Sequence, residues 1–280
     1  MLSVKQSMPN FLMISKFLLN KIHYIRQYPS FLSKEIFFYS LALLKKDNIP
    51  NRKFILYCSP RTGSNLLSNL LRSHPEIDFG TTILSPRDAK ILFFPILYIV
   101  GHCKACEKLN YGFKIHPFSL LTYQKLDVQK FLLQLHQAGW KIIHLKRLNL
   151  VRQQISLMVA TQRNKWTDIV ENSLINSMFY IDENELIEKI QKQEIHLFNE
   201  NKALEQIPHI TITYEKELLK SEQHQKTVDR IFEYLDIESV PVKTKFKRTT
   251  TDKLSDFIEN YEEIVSAIRK TKYAKFLDDK

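Results

Sequence analysis

Apolar positions along the chain change period repeatedly. A short continuous apolar run, Phe54-Ile-Leu-Tyr57, predicts a buried strand that ends at Ser59 and Pro60. Leu66, Leu67, Leu70 and Leu71 follow at helical spacing. The alternation recurs downstream. Lys141-Ile-Ile-His-Leu-Lys-Arg147 reads as a strand, and Leu157-Met-Val-Ala160 has the spacing of a helix. His209-Ile-Thr-Ile-Thr-Tyr-Glu215 reads as a further strand, leading to an amphipathic helix over Gln225–Leu235. Gly112–Pro117 reads as extended. Strands apolar on both faces, interleaved with helices, predict an α/β fold with a central parallel sheet flanked by helices. Such a sheet places its ligand loops at the carboxyl ends of its strands. The 280 residues fit one large domain or one domain with a helical appendage, and 44% hydrophobic content is ample for its core.

The first strand–helix junction carries candidate chemistry. Strand, short loop and helix point free backbone N–H groups and a positive helix end at an anion. Arg61 adds a fixed guanidinium fork, Thr62 and Ser64 add hydroxyls, and Gly63 lets the backbone come close to a ligand. The chain has only 5 glycines and no Gly-Lys pair, so a Walker A loop is excluded. The segment suits a phosphate or a sulfate.

The order Pro60-Arg61-Thr62-Gly63-Ser64 resembles the 5′-phosphosulfate loop of sulfotransferases. In that family the loop holds the sulfate-bearing end of 3′-phosphoadenosine 5′-phosphosulfate (PAPS), and the product is 3′-phosphoadenosine 5′-phosphate (PAP). The resemblance extends the nucleotide-binding set to Asn65. Arg147 at the end of its strand, and Ser156 after it, resemble the pair that holds the 3′-phosphate in the same family. Trp166 and the C-terminal third, with Asn260-Tyr261, are similar to bacterial carbohydrate sulfotransferases. There a basic segment lies over the nucleotide, and Lys247 and Arg248 are its counterparts here. The resemblance covers roughly residues 52–278. It implies a P-loop NTPase-like sulfotransferase fold, with a sulfotransferase domain over 51–280 and an N-terminal helical extension over 1–50. The implied acceptor is a hydroxyl of a carbohydrate or glycolipid, and no metal is required.

Sulfuryl transfer needs a base for the acceptor proton, cations for the developing charge, and in-line positioning. Lys114 and His116 sit two apart in an extended segment and so face one side. The Lys-x-His-Pro order resembles the catalytic segment of cytosolic sulfotransferases, which makes His116 the base and Lys114 a charge stabiliser, with Arg61 as the third catalytic residue. One departure stands out. Many bacterial members carry a Gly-Glu pair after the first loop, and the corresponding place here is Gly80-Thr81. Asp78 and Asp88 are the carboxylates that could substitute for His116.

Charge and cysteines narrow the partners. The formal net charge is +11, which fits a polyanionic nucleotide and leaves room for an anionic acceptor or membrane surface. No zinc-finger, RRM-like or helix-turn-helix signature accompanies it, so nucleic acid is not expected. Three cysteines suggest a reducing compartment without a disulfide framework, and the single Cys103-x-x-Cys106 lacks the further ligands of a zinc site. Residues 1–50 are basic and aromatic, and neither apolar run in them reaches the ~20 residues of a membrane span. They read as helices packed on the main domain. The second reading is a surface anchor, which would place the protein in the cytoplasm with peripheral contact at the inner face of the membrane. In Ile91–Val100, the longest apolar run, Pro95 reads as a break, and the run fits either the core or an acceptor site. Two other functions fit the same residues: a nucleotide-dependent kinase on the same fold, and a non-catalytic nucleotide- or polyanion-binding protein.

Overall fold

A computed structural model describes residues 29–45, 49–86, 91–163, 178–244 and 253–277. Five strands form one sheet: β1 (Arg52–Cys58), β2 (Ile77–Thr82), β3 (Asn110–Ile115), β4 (Trp140–Lys146) and β5 (His209–Thr213). Its spatial order is β2-β3-β1-β4-β5, with every neighbouring pair parallel. The fold is therefore α/β with a central parallel sheet flanked by helices, as the periodicity predicts. Leu56 and Ile143, paired in register at the centre, are both fully buried, as expected of a strand covered on two faces.

The helices are α1 (Pro29–Leu44), α2 (Ser64–Arg72), α3 (Pro95–Ala105), α4 (Val128–Gln137), α5 (Leu150–Gln162), α6 (Glu183–Leu204), α7 (His224–Leu235) and α8 (Tyr261–Arg269). Ile55, Tyr57 and Phe113 pack on one side of the sheet against Ile99 of α3, Leu132 of α4 and Leu204 of α6. Phe54, Leu56 and Ile143 pack on the other side against Leu67 and Leu71 of α2 and Phe232 of α7. A third cluster joins α5, α6 and α8 through Ile155, Ile190 and Ile264.

Pro95 does not break its apolar run. It is the first residue of α3, where its missing N–H costs nothing and its fixed φ suits the helix. The run is core, since Tyr98 and Ile99 are fully buried. α1 crosses α3 at Gly101, where a Cβ would lie 2.0 Å from the Phe38 carbonyl oxygen, so only glycine allows this approach. Stacking of Phe38 on His102, with ring centroids 3.5 Å apart, continues the contact. No helix among the described residues is long and apolar enough to cross a membrane.

The strand order fixes where a ligand can sit. From β1 the chain moves to β2 and then β3, on one side of the sheet. It then crosses β1 to β4 and continues to β5 on the other side. Connections therefore leave the adjacent strands β1 and β4 in opposite directions. In an open parallel sheet such a switch opens a crevice at the carboxyl ends. Two segments line it: residues 59–63 after β1 and 147–149 after β4.

Candidate active site

The loop after β1 is shaped by its backbone. Arg61 takes φ 62° and Gly63 φ 88°, both left-handed, with Thr62 between them. A non-glycine residue in that region is uncommon, and such strain concentrates at ligand-binding turns. Changes of hand along the backbone curl successive N–H groups toward one point, which suits an anion. The Thr62 hydroxyl donates inward to the Ser59 carbonyl at 2.9 Å, so its proton ties the loop. Gly63 is also required by space, because a Cβ there would come within 2.5 Å of the Tyr214 ring.

α2 begins immediately after Gly63 with no side-chain cap and no acidic residue in its first turn. The first turns of α4, α5 and α6 differ: Asp127, Asn149 and Asp182 accept from the N–H groups of Lys130, Arg152 and Glu185. The positive end of α2, next to the strained loop, is thus left available to an external anion.

On the β3 side of β1, Lys114 is buried and donates to Asn65 Oδ1 at 2.8 Å and to Ser64 Oγ at 3.4 Å. Burial lowers its pKa. Cys58 at the end of β1 is also buried, and burial raises its thiol pKa to about 11. His116 follows β3 and lies beside β1. Its Nδ1 is 2.7 Å from the Cys58 carbonyl oxygen. A carbonyl can only accept, so Nδ1 carries the proton and the lone pair sits on Nε2. Burial pushes the His116 pKa down to about 4; its bond to Cys58 opposes the shift and Lys114 adds to it. The ring is neutral at physiological pH.

On the β4 side, the Nε of Arg61 donates to Ser156 Oγ at 3.0 Å, which ties the first loop to α5. Gln153, one turn earlier, donates to the Pro60 carbonyl at 2.8 Å, and its own buried carbonyl oxygen has no hydrogen-bond partner among the described residues. Arg147 donates to the Arg61 carbonyl at 3.2 Å, and its guanidinium lies 4.7 Å from the centre of the Tyr214 ring. Glu215 holds this corner. It is 3.7 Å from Arg147 Nε and accepts from the N–H groups of Leu148 and Asn149 at 2.9 and 3.0 Å. Tyr214 and Glu215 are not the end of a strand: β5 stops at Thr213 and they open a helical turn, Tyr214–Glu217.

The structure thus gathers Arg61, Thr62, Gly63, Ser64, Asn65, Lys114, His116, Arg147 and Ser156 around the ends of β1, β3 and β4. The Ser156 hydroxyl meets Arg61 rather than Arg147. Asp78 is removed from the candidates for the base. It pairs with Tyr111 near the start of β3, five residues before His116, which is roughly 16 Å along a strand. Gly80 and Thr81 lie within β2. Asp88, Trp166, Lys247 and Arg248 lie outside the described residues. Cys103 and Cys106 are buried thiols that form no disulfide, and no cluster of three metal-ligating side chains occurs among the described residues.

The sequence pattern does not single out a buried polar link beneath the loop. Glu200 of α6, 2% exposed, accepts a hydrogen bond from the Ser59 hydroxyl. Its other oxygen is 3.3 Å from Nε2 of His144 on β4, which is 1% exposed. Three elements therefore meet at one carboxylate just below the point where the loop leaves β1. The spacing of Leu186, Ile190, Gln193, Leu197, Glu200 and Leu204 puts Glu200 on the inward stripe of α6, and that stripe is the signal that could have found it.

No family model and no curated protein matches the sequence. Among solved structures, the chain is similar to a sulfotransferase from Alicyclobacillus acidocaldarius, at 13% identity and TM-score 0.47, over 82% of this chain and 96% of that one. It is also similar to mouse sulfotransferase SULT7A1 complexed with PAP, at 15% identity and TM-score 0.47, over 89% and 94% of the two chains. At this distance neither likeness says what the chain does.

Proposed function

We propose that the chain is a sulfotransferase that moves a sulfuryl group from PAPS to an acceptor hydroxyl. The observation that carries this reading is the meeting of the two motifs with a proton acceptor. Arg61 of the first loop bonds Ser156 of the second at 3.0 Å, and His116, at the end of the neighbouring strand β3, bonds the Cys58 carbonyl of β1 and so has Nε2 unprotonated. The donor's chemistry fits these residues. A phosphosulfate needs N–H groups and fixed cations, which the 61–65 loop, the start of α2, Arg61 and Lys114 supply. A 3′-phosphate needs a second cation, and Arg147 stands beside the loop on its β4 side, donating to the Arg61 carbonyl. Bound there, PAPS supplies the activated sulfuryl group.

The chain's own residues then have distinct tasks. His116 accepts the acceptor's hydroxyl proton at Nε2, while its Nδ1–H on the Cys58 carbonyl fixes the ring and the tautomer. Lys114, steadied by Asn65, and Arg61, steadied by Ser156, offset negative charge at the transferring group. The acceptor in this reading is a carbohydrate or glycolipid hydroxyl, on the strength of the C-terminal sequence resemblance. Phe118 and Leu121, just past His116, are 46% and 55% exposed and offer apolar surface to such an acceptor.

Calorimetry with PAP, AMP and ATP tests the reading. It requires tight PAP binding, weaker AMP binding because the 3′-phosphate is missing, and no preference for ATP. Preference for ATP would favour a kinase. PAP binding without sulfation of any carbohydrate or lipid acceptor from labelled PAPS would favour a non-catalytic binding protein.

A further inference from the structure

α1 is apolar on both faces, and among the described residues only one of them is covered. Phe38 and Ala42 turn toward α3. The opposite face carries Ile36, Phe37, Leu43 and Leu44, which are 53%, 56%, 70% and 79% exposed. With Ser33 and Ser40 they recur at helical i, i+3 and i+4 spacing, so they form one continuous stripe. Phe94, 62% exposed, has its ring 5.8 Å from that of Tyr39 on α1 and widens the patch. A helix apolar all round is ordinarily buried all round, and a patch of this kind marks a surface meant for something else.

The sequence around the helix selects the occupant. Residues 1–34 contain Lys5, Lys16, Lys21, Arg26 and Lys34 and no Asp or Glu. The first acid in the chain, Glu35, is turned inward: it is 4% exposed and accepts from the Tyr39 hydroxyl and the Phe93 N–H. An apolar stripe preceded by a purely cationic segment complements a surface with an acyl interior and anionic headgroups. α1 has 16 residues and so is about 24 Å long, short of the roughly 30 Å of a bilayer core. It suits lying along a membrane rather than crossing one.

We propose that the outer face of α1 docks on an anionic lipid bilayer. Ile36, Phe37, Leu43, Leu44 and Phe94 enter the boundary between headgroups and acyl chains, and the cations of residues 1–34 meet the lipid phosphates. This docking stands apart from the sulfuryl-transfer reading, and its readout is binding, not turnover.

The test is co-sedimentation of the full chain with vesicles of phosphatidylcholine alone, and with vesicles containing about 30% phosphatidylserine. The expected result is binding at least tenfold tighter to the anionic vesicles, weakened by raising salt from about 0.1 to about 0.5 M. Phe37→Glu/Leu44→Glu should cut that binding by about tenfold or more without shifting thermal unfolding, because both positions are exposed. If that pair unfolds, Ile36→Gln/Leu43→Gln serves the same purpose with a milder change. Lys21→Gln/Arg26→Gln should weaken binding to anionic vesicles and leave thermal unfolding unchanged. The proposal is overturned if the wild-type chain binds neither vesicle, or if folded variants of the stripe bind as tightly as wild type. It is also overturned if sedimentation equilibrium shows a dimer that the stripe variants dissociate, because the face then belongs to a second copy.

Discussion

The Nε of Arg61 lies 3.0 Å from the hydroxyl oxygen of Ser156, so the loop after β1 and the helix after β4 are joined directly across the crevice. The contact fixes the guanidinium before any ligand arrives. A preset cation loses less freedom on binding than a mobile one, and the bonds it makes to an anion are charge-assisted.

Arg61→Ala should therefore weaken PAP binding by about 1.5–3 kcal/mol, or roughly 10- to 150-fold. Ser156→Ala should weaken it less, because the cation survives and only its support is lost. Calorimetry on the three folded proteins measures both effects. Equal affinities for Arg61→Ala and wild type would remove Arg61 from the nucleotide site.

Arg147 should separate the two phosphates. It is held by Glu215 and by the Tyr214 ring on the far side of the crevice from Lys114. If it reads the 3′-phosphate, Arg147→Ala should reduce the preference of the protein for PAP over AMP while AMP affinity stays nearly constant. Wild-type protein that binds PAP and AMP equally would place the 3′-phosphate elsewhere.

Much of this site was legible in the sequence because its signals are local. Phe54–Tyr57, the turn at Ser59-Pro60 and the spacing from Leu66 to Leu71 are neighbours in the chain, and together they define a strand, a loop and a helix start. The parallel sheet followed from strands apolar on both faces. What the pattern hid depends on tertiary contact. Pro95 reads as a break, and only the helix it opens, with Tyr98 and Ile99 packed in the core, shows otherwise. Tyr214 continues an alternating pattern but turns into a helix, where Glu215 can collect the N–H groups of Leu148 and Asn149. Ser156 was paired in sequence with Arg147, yet its hydroxyl faces Arg61, because the side of α5 it occupies is set by how that helix docks. Glu200 is one acid among several on α6, and its burial is visible only once the helix lies on the sheet.

Glu200 gives a prediction about stability. Its carboxylate is buried between the Ser59 hydroxyl and His144, so removing it leaves two buried polar groups without their partner. Glu200→Ala should cost about 3–5 kcal/mol, whereas Ser59→Ala should cost about 1–3 kcal/mol. Denaturant unfolding measures both. A Glu200→Ala protein within about 1 kcal/mol of wild type would show that the link under the loop contributes little.

Gly63 should tolerate no side chain. Its φ of 88° is strained for alanine, and the new Cβ would press on the Tyr214 ring at 2.5 Å. Gly63→Ala should lose about 1–3 kcal/mol of stability and much of its PAP affinity. Adding Tyr214→Ala relieves the clash but not the φ strain, so the double variant should recover only part of the stability. Full recovery, read from thermal unfolding, would mean that space alone demands glycine.

The last prediction concerns proton transfer at His116. Its pKa is pushed down to about 4, chiefly by burial, so the imidazole is neutral through the physiological range. An unperturbed histidine base would make turnover climb between about pH 5.5 and 7.5. This one should give a plateau there, with the rate falling only as pH drops toward 4, where Nε2 becomes protonated and can no longer accept. The same depressed pKa acts on folding. The unfolded chain, with histidine near its ordinary 6.5, binds the proton more readily than the native state. Stability should therefore be complete above pH 6.5 and decline as pH falls from there toward 4. His116→Ala should cut turnover by ~10²–10⁴ with nucleotide affinity nearly unchanged, and it should remove the acid limb of the rate profile. Lys114→Ala should also lower turnover but keep that limb, shifted up in pH because a cation beside the imidazole is gone. A pH–rate series on the three proteins, with one acceptor and saturating PAPS, distinguishes these outcomes. A His116→Ala enzyme that keeps most of its turnover would mean that the acceptor proton leaves by another group.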